Sequence, residues 1–394
     1  MKIVHTCLGC FFIDHYSYQE NLLPKYHVKM GHDFTVIASL VSFDENGKGC
    51  LLDSASEYED ENGFHVVRLA YKWPVKINKH LQHYIGLAEQ LDKIEPDIIF
   101  MHGAGIGDSY IVASYLKTHP QVKLYSDSHA DYFNSGKSWF SLKILNGIIR
   151  RYYGSRLSKY YIKRFGVTPW RCDFLINVYG ADKDKVEYLP IGVDDEAIPA
   201  NRPEVRTMVR TELEIEDKDF VIFTGGKIDE KKNIHILLKV IQQMGLSNVH
   251  VIICGVVMPA MKEVIDALTT LNVHHLGWCD AKRVMDCMVA SDIACFPGTH
   301  STLWEQSVGV GLPIIYKHWE KMDQVSVNGN AISIKGDDVN ELQAAIRLMI
   351  SNIDSYKGKA SIASKGFLYS EIAKKKLLVC RNLVLCSSLE NSVS

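Results

Sequence analysis

Long apolar segments are missing from this 394-residue chain, in which no run approaches the roughly 20 residues that a helix needs to span a bilayer. An excess of one charge is missing too, since 44 lysines and arginines oppose 46 acids and the net charge is -2. Such a balance argues against a nucleic-acid-binding protein. The N-terminal MKIVHTCLGCFFIDH lacks the features of a signal peptide, because His5 interrupts its apolar part and no small-residue cleavage site follows. We predict that it forms the first strand of the fold.

The ten cysteines lack the spacing of a disulfide framework and predict reduced thiols in a cytoplasmic protein. Cys7 and Cys10 form a C-x-x-C, but His5 is the only ligand-type residue near it and no second pair stands at zinc spacing. No metal site is therefore predicted. The ten are Cys7, Cys10, Cys50, Cys172, Cys254, Cys279, Cys287, Cys295, Cys380 and Cys386.

The length of the chain and its alternating strand and helix patterns predict an α/β protein of two domains. Each domain is expected to be doubly wound around a parallel sheet, with ligands at the carboxyl ends of the strands, facing a cleft between the domains. The predicted parts are a first domain over 1–200, a linker over 201–218, a second domain over 219–365, and a C-terminal helix over 366–394 that packs back on the first domain and frays at its end.

One stretch combines a strand, a glycine turn and a helix. Phe220 to Thr224 is apolar, Gly225 and Gly226 follow, and a helical apolar period runs through 234–240. The turn region carries Lys227, Lys231 and Lys232, the last two in or beside the first helical turn, where the helix dipole disfavours cations. The pattern indicates a phosphate site. The alternative is a solvated loop in which two neighbouring acids offset the lysines.

A basic segment over 141–165 contains no acid, and tyrosines and aliphatic residues lie between its lysines and arginines. A basic amphipathic helix with aromatic side chains suits an anionic membrane surface. A solvated helix whose tyrosines pack on the sheet is the alternative.

Polar residues follow the predicted strand at 122–126. In this group His129 is flanked by Asp127 and Asp131, at a place where cleft residues belong. Taken alone, a histidine at a strand end more often has a structural role. Glycines at 103, 105 and 107 do not form a G-x-G-x-x-G and indicate only close backbone approach.

The chain resembles the retaining glycosyltransferases of family 4, which have the two-Rossmann GT-B fold. Seven segments carry the resemblance in the family's order and spacing and extend over nearly the whole chain. They are Gly31-His32, Pro96-Asp97-Ile98-Ile99, the segment 189–194, FTGGKIDEKKN, HHLGWCD at 274–280, Ala290-Ser291-Asp292-Ile293 and Gly311-Leu312-Pro313.

The resemblance implies a donor site in the second domain. The family's two basic residues for the donor diphosphate match Lys227 and Lys232, with lysine where arginine is usual at the first position. The family's Glu-x7-Glu pattern is broken, since its first position falls at Pro297 or Gly298 and its second at Gln306. The further donor-binding residues that we predict are Gly9, Gly226, Gly277, Trp278, His300, Ser301, Thr302 and Glu305.

Glu305 is the predicted contact to the donor ribose, and Gln306 is the competing candidate. A different role is also open, because Thr302 to Glu305 reads as a capping box that would direct this carboxylate to a backbone N–H.

In the first domain the resemblance implies that His129 bonds the donor sugar near the reacting carbon or positions the acceptor. Together with Lys227 and Lys232 it forms the predicted catalytic set. Gly9 matches the family's glycine-rich donor loop, although the usual adjacent glycine pair is missing. The predicted acceptor-side residues are Asp14, His15, Tyr18, Asp127 and Asp131. The fold holds the diphosphate with lysines, so neither metal nor cofactor is expected.

The implied function is transfer of a hexose from a nucleoside diphosphate sugar, with uridine favoured over guanosine, to a glycan or polyprenyl-linked glycan in surface polysaccharide synthesis. A cytoplasmic enzyme, peripheral on the inner face of the membrane, is expected. The alternatives are another enzyme of this scaffold, such as a sugar-nucleotide epimerase or an inverting transferase, and a catalytically silent subunit that binds lipid or a partner enzyme.

Overall fold

The chain divides into two compact units, the first being Met1–Leu189 and the second beginning at Pro190. The computed structural model describes residues 1–44, 48–103 and 105–375. No helix within these ranges is both long and apolar enough to cross a membrane.

The first unit is built on an eight-stranded sheet in the order β10-β9-β8-β7-β1-β2-β6-β5. All neighbouring strands are parallel except β5 and β6, and β3 pairs with β4 in a separate hairpin. The strands are β1 (Lys2–Cys7), β2 (Asp33–Ser39), β3 (Val41–Phe43), β4 (Gly49–Leu51), β5 (Ser56–Glu59), β6 (His65–Leu69), β7 (Ile98–His102), β8 (Lys123–Ser128), β9 (Tyr161–Gly166) and β10 (Val186–Tyr188).

The helices of the first unit connect these parallel strands. They are α1 (Gln19–Lys29), α2 (Val75–Leu81), α3 (Leu87–Ile94), α4 (Ser109–Thr118), a π-helix (Phe140–Arg150) continued by α5 (Arg151–Ser155), and α6 (Pro169–Asn177). Strand β7 is buried along its whole length, which is why its sequence is an uninterrupted apolar run up to His102.

The second unit is a six-stranded parallel sheet in the order β13-β12-β11-β14-β15-β16. Its strands are β11 (Phe220–Gly225), β12 (Val249–Cys254), β13 (Val273–His275), β14 (Ile293–Phe296), β15 (Ile314–Lys317) and β16 (Ala331–Ile334). Its helices are α7 (Arg202–Glu212), α8 (Ile234–Met244), α9 (Lys262–Leu268), α10 (Ala281–Ala290), α11 (Leu303–Val310), α12 (Val339–Ser351) and α13 (Ile353–Ser364). The doubly wound α/β fold predicted from the sequence is confirmed.

The segment over 201–218, predicted to be the linker, contains helix α7. Arg206 and Arg210 on this helix donate to the two oxygens of Asp292, at 3.0 and 2.8 Å. Arg210 is buried, and a buried guanidinium needs such a partner. The segment's arginines therefore anchor α7 in the second unit, and its charged composition gave no sign of this burial.

The predicted C-terminal helix over 366–394 lies mostly outside the described residues. A 3-10 turn spans Lys365–Phe367, and residues 369–375 are helical. The packing expected for that helix stays a prediction.

Candidate functional site

The glycine turn after β11 requires glycine for steric reasons. Gly226 has a φ of +104°, and a Cβ added to Gly225 would lie 2.3 Å from the carbonyl oxygen of Cys254. A Cβ on Gly255, after the neighbouring strand β12, would lie 1.9 Å from the Gly226 oxygen. The chain therefore brings two glycine backbones into contact at the carboxyl edge of the sheet, with the exposed Lys227 directly after them.

The other two lysines lie just before helix α8, in a 3-10 turn over Glu230–Lys232. Asn233 ends this turn with a φ of +55°, and its side-chain amide donates to the carbonyl oxygen of Pro297 at 3.0 Å and to Asp337. The turn is thereby tied to the loop that follows β14.

Lys232 points into that loop. Its Nζ donates to the carbonyl oxygens of Thr299, at 2.9 Å, and His300, at 2.8 Å. Burial lowers the pKa of Lys232 to about 8, although the charge of Asp229 acts in the opposite direction. An ammonium has three N–H donors, so these two bonds leave one for a ligand as far as the described residues show. An ammonium that is held in place and keeps one N–H donor is suited to bind a diphosphate.

Gly298, one of the two positions matched to the family's first carboxylate, has no room for a side chain. A Cβ at this position would lie 2.3 Å from both the carbonyl oxygen of Lys231 and the carbonyl carbon of Lys232. The backbone of the lysine turn fills the space that a glutamate side chain would need. The close approach of the turn and the loop therefore excludes a glutamate at position 298.

Glu305 is bonded to side chains that the sequence analysis did not connect with it. The carboxylate is fully buried on α11, its oxygens lie 2.8 and 3.1 Å from His300 Nε2, and Gln324 Nε2 donates to it at 2.8 Å. The Thr302 side chain makes no capping bond, so the capping box is not formed. The oxygens of Glu305 are buried and bonded here, and its contact to a donor ribose stays a prediction. Gln306 is half-buried on the same helix and stays the competing candidate.

The predicted donor residues of the second unit come together at one edge of the sheet. The ideal Cβ position of Gly226 is 3.6 Å from the hydroxyl oxygen of Ser301, so the glycine turn touches the 298–302 loop. Gly277 follows β13 with a φ of +68° and accepts a bond from the Gly255 N–H at 2.7 Å. Trp278 next to it is 75% exposed. These turns follow the adjacent strands β13, β12, β11 and β14, and ligands of such sheets bind at this edge.

In the first unit, Gly9 follows β1 and lies against the end of β7. Its ideal Cβ would be 2.9 Å from the carbonyl oxygen of His102, and Gly103 is close behind. A larger residue at position 9 would push the two strand ends apart. The close backbone approach predicted for the glycines after β7 is present at Gly105 and Gly107, whose ideal Cβ positions lie 2.6 Å from the Gly154 nitrogen and 2.2 Å from the Leu81 oxygen.

A buried polar network that the sequence analysis missed lies at this edge. His102 Nδ1 is 2.8 Å from Asp127 Oδ2, and His102 Nε2 is 2.8 Å from His5 Nδ1. Gln19 Nε2 also donates to Asp127 Oδ2, at 2.7 Å. Burial lowers the pKa of His102, but the charges of Asp127 and Cys7 outweigh it and raise the pKa to about 9. The available signal was that His5 and His102 lie at or near the ends of two strands that pair.

His129 sits at the mouth of this network with its side chain 35% exposed. Its Nε2 is 3.9 Å from Glu20 Oε1 and 4.0 Å from Asp127 Oδ2. The ring is thus close to two buried carboxylates without a hydrogen bond to either. Glu20 was not among the predicted site residues.

Two predicted acceptor-side carboxylates are occupied by structural partners. Asp14 accepts from Arg68 at 2.8 Å and from the Tyr58 hydroxyl at 2.6 Å. Asp131 accepts from Arg171 at 3.1 Å and from the N–H groups of the turn that follows it. Both fix loops, and Asp127 is fully buried.

The other two predicted acceptor-side residues reach the surface. His15, with a φ of +64°, pairs with Glu61 at 3.0 Å, and Tyr18 is 42% exposed.

One group in the described part of the chain has the composition of a metal site. The ligand atoms of Cys10, Glu20 and His102 lie within 4.8 Å of one another. The ring nitrogens of His102 already face Asp127 and His5, so binding a metal would require this network to rearrange.

The basic segment over 141–165 does not form one helix. Its first part is the π-helix and α5, and its last part is strand β9 in the sheet. Arg150 and Arg164 bond inside the unit, and Lys163 pairs with Glu187. Large apolar side chains remain exposed around the π-helix, namely Trp139 (70%), Phe140 (63%), Ile148 (58%) and Tyr152 (56%).

Comparison with known proteins gives a family for each half of the chain. The model "Glycosyl transferases group 1" matches residues 205–363, and the model "Glycosyltransferase Family 4" matches residues 23–197. No curated protein sequence matches the chain.

Solved structures resemble the chain over nearly its full length. HepE of Anabaena in complex with UDP and glucose has a TM-score of 0.65 at 16% identity, covering 97% of this chain and 99% of its own. WaaG, a glycosyltransferase involved in lipopolysaccharide biosynthesis, has a TM-score of 0.63 at 12% identity, covering 95% and 98%. The UDP-GlcNAc 2-epimerase of Neisseria meningitidis has a TM-score of 0.60 at 14% identity, covering 97% and 100%.

At these identities the solved structures show the fold alone. The two family models together cover most of the chain. The chain has the GT-B fold, and the glycosyltransferase models matched by its two halves support a group 1 glycosyltransferase.

Proposed function

We propose that the protein transfers a hexose from a nucleoside diphosphate sugar, with uridine favoured over guanosine, to a glycan or polyprenyl-linked glycan in surface polysaccharide synthesis. The observation that carries the proposal is the edge where Lys227 and Lys232 flank a glycine turn against the 298–302 loop. HepE, solved with UDP and glucose, and WaaG, which acts in lipopolysaccharide biosynthesis, support the donor class and the pathway class.

The proposed reaction retains the anomeric configuration, as the resemblance to family 4 implies. The acceptor hydroxyl attacks on the face from which the diphosphate leaves, and the leaving β-phosphate takes its proton. Lys227 and Lys232 stabilise the charge that develops on the diphosphate, and His129 orients the sugar or the acceptor. The protein contributes position and electrostatics rather than a nucleophile.

Calorimetric titration with UDP and GDP, followed by a screen of nucleotide sugars, tests the proposal. We expect UDP to bind more tightly than GDP and one UDP-hexose to be hydrolysed or transferred. NMR of the anomeric proton in the product then reports retention or inversion. Binding of neither nucleotide would overturn the proposal, and inversion would overturn its stereochemical part.

The proposal uses lysine side chains as the counter-charge of the diphosphate and requires no metal. Transfer should therefore continue at an unchanged rate after dialysis against EDTA. A loss of activity that Mg²⁺ or Mn²⁺ restores would show that the lysines are insufficient.

We also propose that the surface around the π-helix docks on an anionic membrane from the cytoplasmic side. The exposed side chains of Trp139, Phe140, Ile148 and Tyr152 would enter the interface. The basic side chains there are exposed, and no acid occurs in 132–172, so the charge complements anionic lipid. These basic residues are Lys137, Lys143, Arg151, Arg156 and Lys159.

Sugar-nucleotide epimerisation is the second candidate, favoured by the similarity to the UDP-GlcNAc 2-epimerase. The protein would then convert a UDP-sugar without any acceptor, which NMR of the sugar pool detects. A silent subunit is the third candidate, since Gly298 leaves no room for the family's carboxylate. It predicts that neither UDP nor GDP binds.

A further inference from the structure

The surroundings of Glu305 place it against His300. Glu305 is fully buried, and His300 Nε2 lies 2.8 and 3.1 Å from its two oxygens. Gln324 Nε2 occupies a second site on the same carboxylate, at 2.8 Å. A buried carboxylate is tolerated only where such donors surround it. The arrangement therefore defines the orientation of the imidazole.

This orientation decides which ring atom of His300 can serve a ligand. Nε2 faces carboxylate oxygens, so it carries a proton and donates it. Nδ1 is the remaining polar atom of the ring. The backbone of His300 is held as well, because its carbonyl oxygen accepts from Lys232 Nζ at 2.8 Å. The ring also packs edge-on against Trp304, with the centroids 5.1 Å apart. Backbone and side chain are thus fixed independently.

Charge favours the same conclusion. Gln324 is neutral, and within the described residues His300 is the ion-pair partner of Glu305. With Nε2 committed to Glu305, a contact from Nδ1 to a phosphate oxygen requires the imidazolium form, in which Nδ1–H is a directed donor. Lys232, the proposed diphosphate residue, is adjacent through its bond to the His300 carbonyl. Two positive groups with different geometry would then face one anionic ligand.

We propose that Glu305 is a positioning residue and that His300, held by it, contacts the donor diphosphate through Nδ1. The inference rests on the proposed nucleotide-sugar site. It gives Glu305 a role other than the ribose contact, and it assigns a directed hydrogen-bond donor to a site whose lysines act as point charges.

A double-mutant cycle tests the proposal on the full-length protein, with calorimetric Kd values for UDP and GDP and with UMP as the reference ligand. H300Q keeps an amide donor for Glu305 and loses Nδ1, whereas E305Q keeps the side-chain shape and loses the charge. Each should weaken diphosphate binding on the order of tenfold with a smaller effect on UMP. The double variant should bind like H300Q, because Glu305 acts through His300.

Asp286→Asn and His119→Gln are matched controls. Asp286 is a buried carboxylate paired with Lys282 at 2.6 Å, and His119 stacks on Tyr115 in the first unit. Both should bind nucleotide like the wild type. Circular dichroism and thermal melting show whether E305Q folds. If it does not, Glu305→Asp replaces it, because it keeps the charge but moves the carboxylate away from His300. We expect its loss of diphosphate affinity to be smaller than that of H300Q.

The outcomes separate the inference from the proposed function. If the wild type binds UDP and H300Q binds it equally well, the role of His300 is overturned and the donor site stands. Additive effects of E305Q and H300Q would overturn the positioning role of Glu305. If the wild type binds neither UDP nor GDP, the proposed function fails and the inference fails with it.

Discussion

Lys232 is a half-buried ammonium that bonds two carbonyl oxygens of the 298–302 loop. Lys231 beside it is exposed, and its carbonyl oxygen accepts from the Thr299 N–H at 3.0 Å, a bond that its side chain does not enter. The two lysines are therefore a matched pair in which one side chain faces the loop and the other faces solvent.

Lys232→Ala should lower kcat/KM for glycosyl transfer by more than about tenfold, which is about 1.4 kcal/mol of transition-state stabilisation. The reason is the loss of a charge beside the diphosphate. Lys231→Ala is the control and should remain within about twofold of the wild type. Equal effects of the two substitutions would remove the phosphate role from Lys232.

The lowered pKa of Lys232, about 8, predicts a pH dependence of nucleotide binding. Below this pKa the ammonium is charged and attracts the diphosphate, and above it the amine becomes neutral. The affinity for UDP should therefore fall as pH rises through about 8. In Lys232→Arg the guanidinium stays charged and this fall should vanish. Calorimetric titrations across the range decide, and a pH-independent wild-type affinity would contradict the assignment.

At the scale of elements, the lysine turn before α8 and the loop after β14 form one packed unit around Gly298. Asn233 and Lys232 bond across the contact, and the ideal Cβ of Gly298 would overlap the backbone of the turn. The shape of the donor site thus depends on a contact between two segments about 65 residues apart in sequence.

Gly298→Ala should destabilise the protein by about 1–3 kcal/mol, because the methyl group would force these two backbones apart. Gly358→Ala is the control, since that glycine lies in α13 with nothing within 4 Å of its ideal Cβ. There alanine should stabilise by about 0.5–1 kcal/mol. Denaturant midpoints measure both effects. An unchanged midpoint for Gly298→Ala would mean that the lysine turn can shift at little cost in free energy.

At the scale of the whole molecule, binding to anionic liposomes should depend on the surface around the π-helix. Replacing Trp139 and Phe140 by serine should lower flotation with anionic liposomes severalfold, since two exposed aromatic anchors are lost. Ile362→Ser, at a residue 62% exposed on α13, is the matched control. Equal flotation with neutral and anionic lipid would contradict membrane docking and support the alternative of a solvated surface.

The alternation of strands and helices was readable along most of the chain because buried parallel strands leave continuous apolar runs, as in β7 and β12. The exceptions are elements whose packing cannot be inferred from their own residues. Helix α7 was taken for a linker because its surface is charged. Strand β9 was joined to the basic helix because its one lysine and one arginine resemble the basic residues before it.

The sequence by itself determined the two α/β halves, the glycine turn and the lysines after it, because these depend on local backbone geometry and on residue types close in the chain. Tertiary structure alone decided which side chains meet. Glu305 turns to His300 and Gln324, Asp14 to Arg68, and His5 to His102, which is 97 residues away. Apart from His300 and Glu305, which are five residues apart, these pairs join distant segments that strand pairing and loop packing bring together, and no local pattern encodes them.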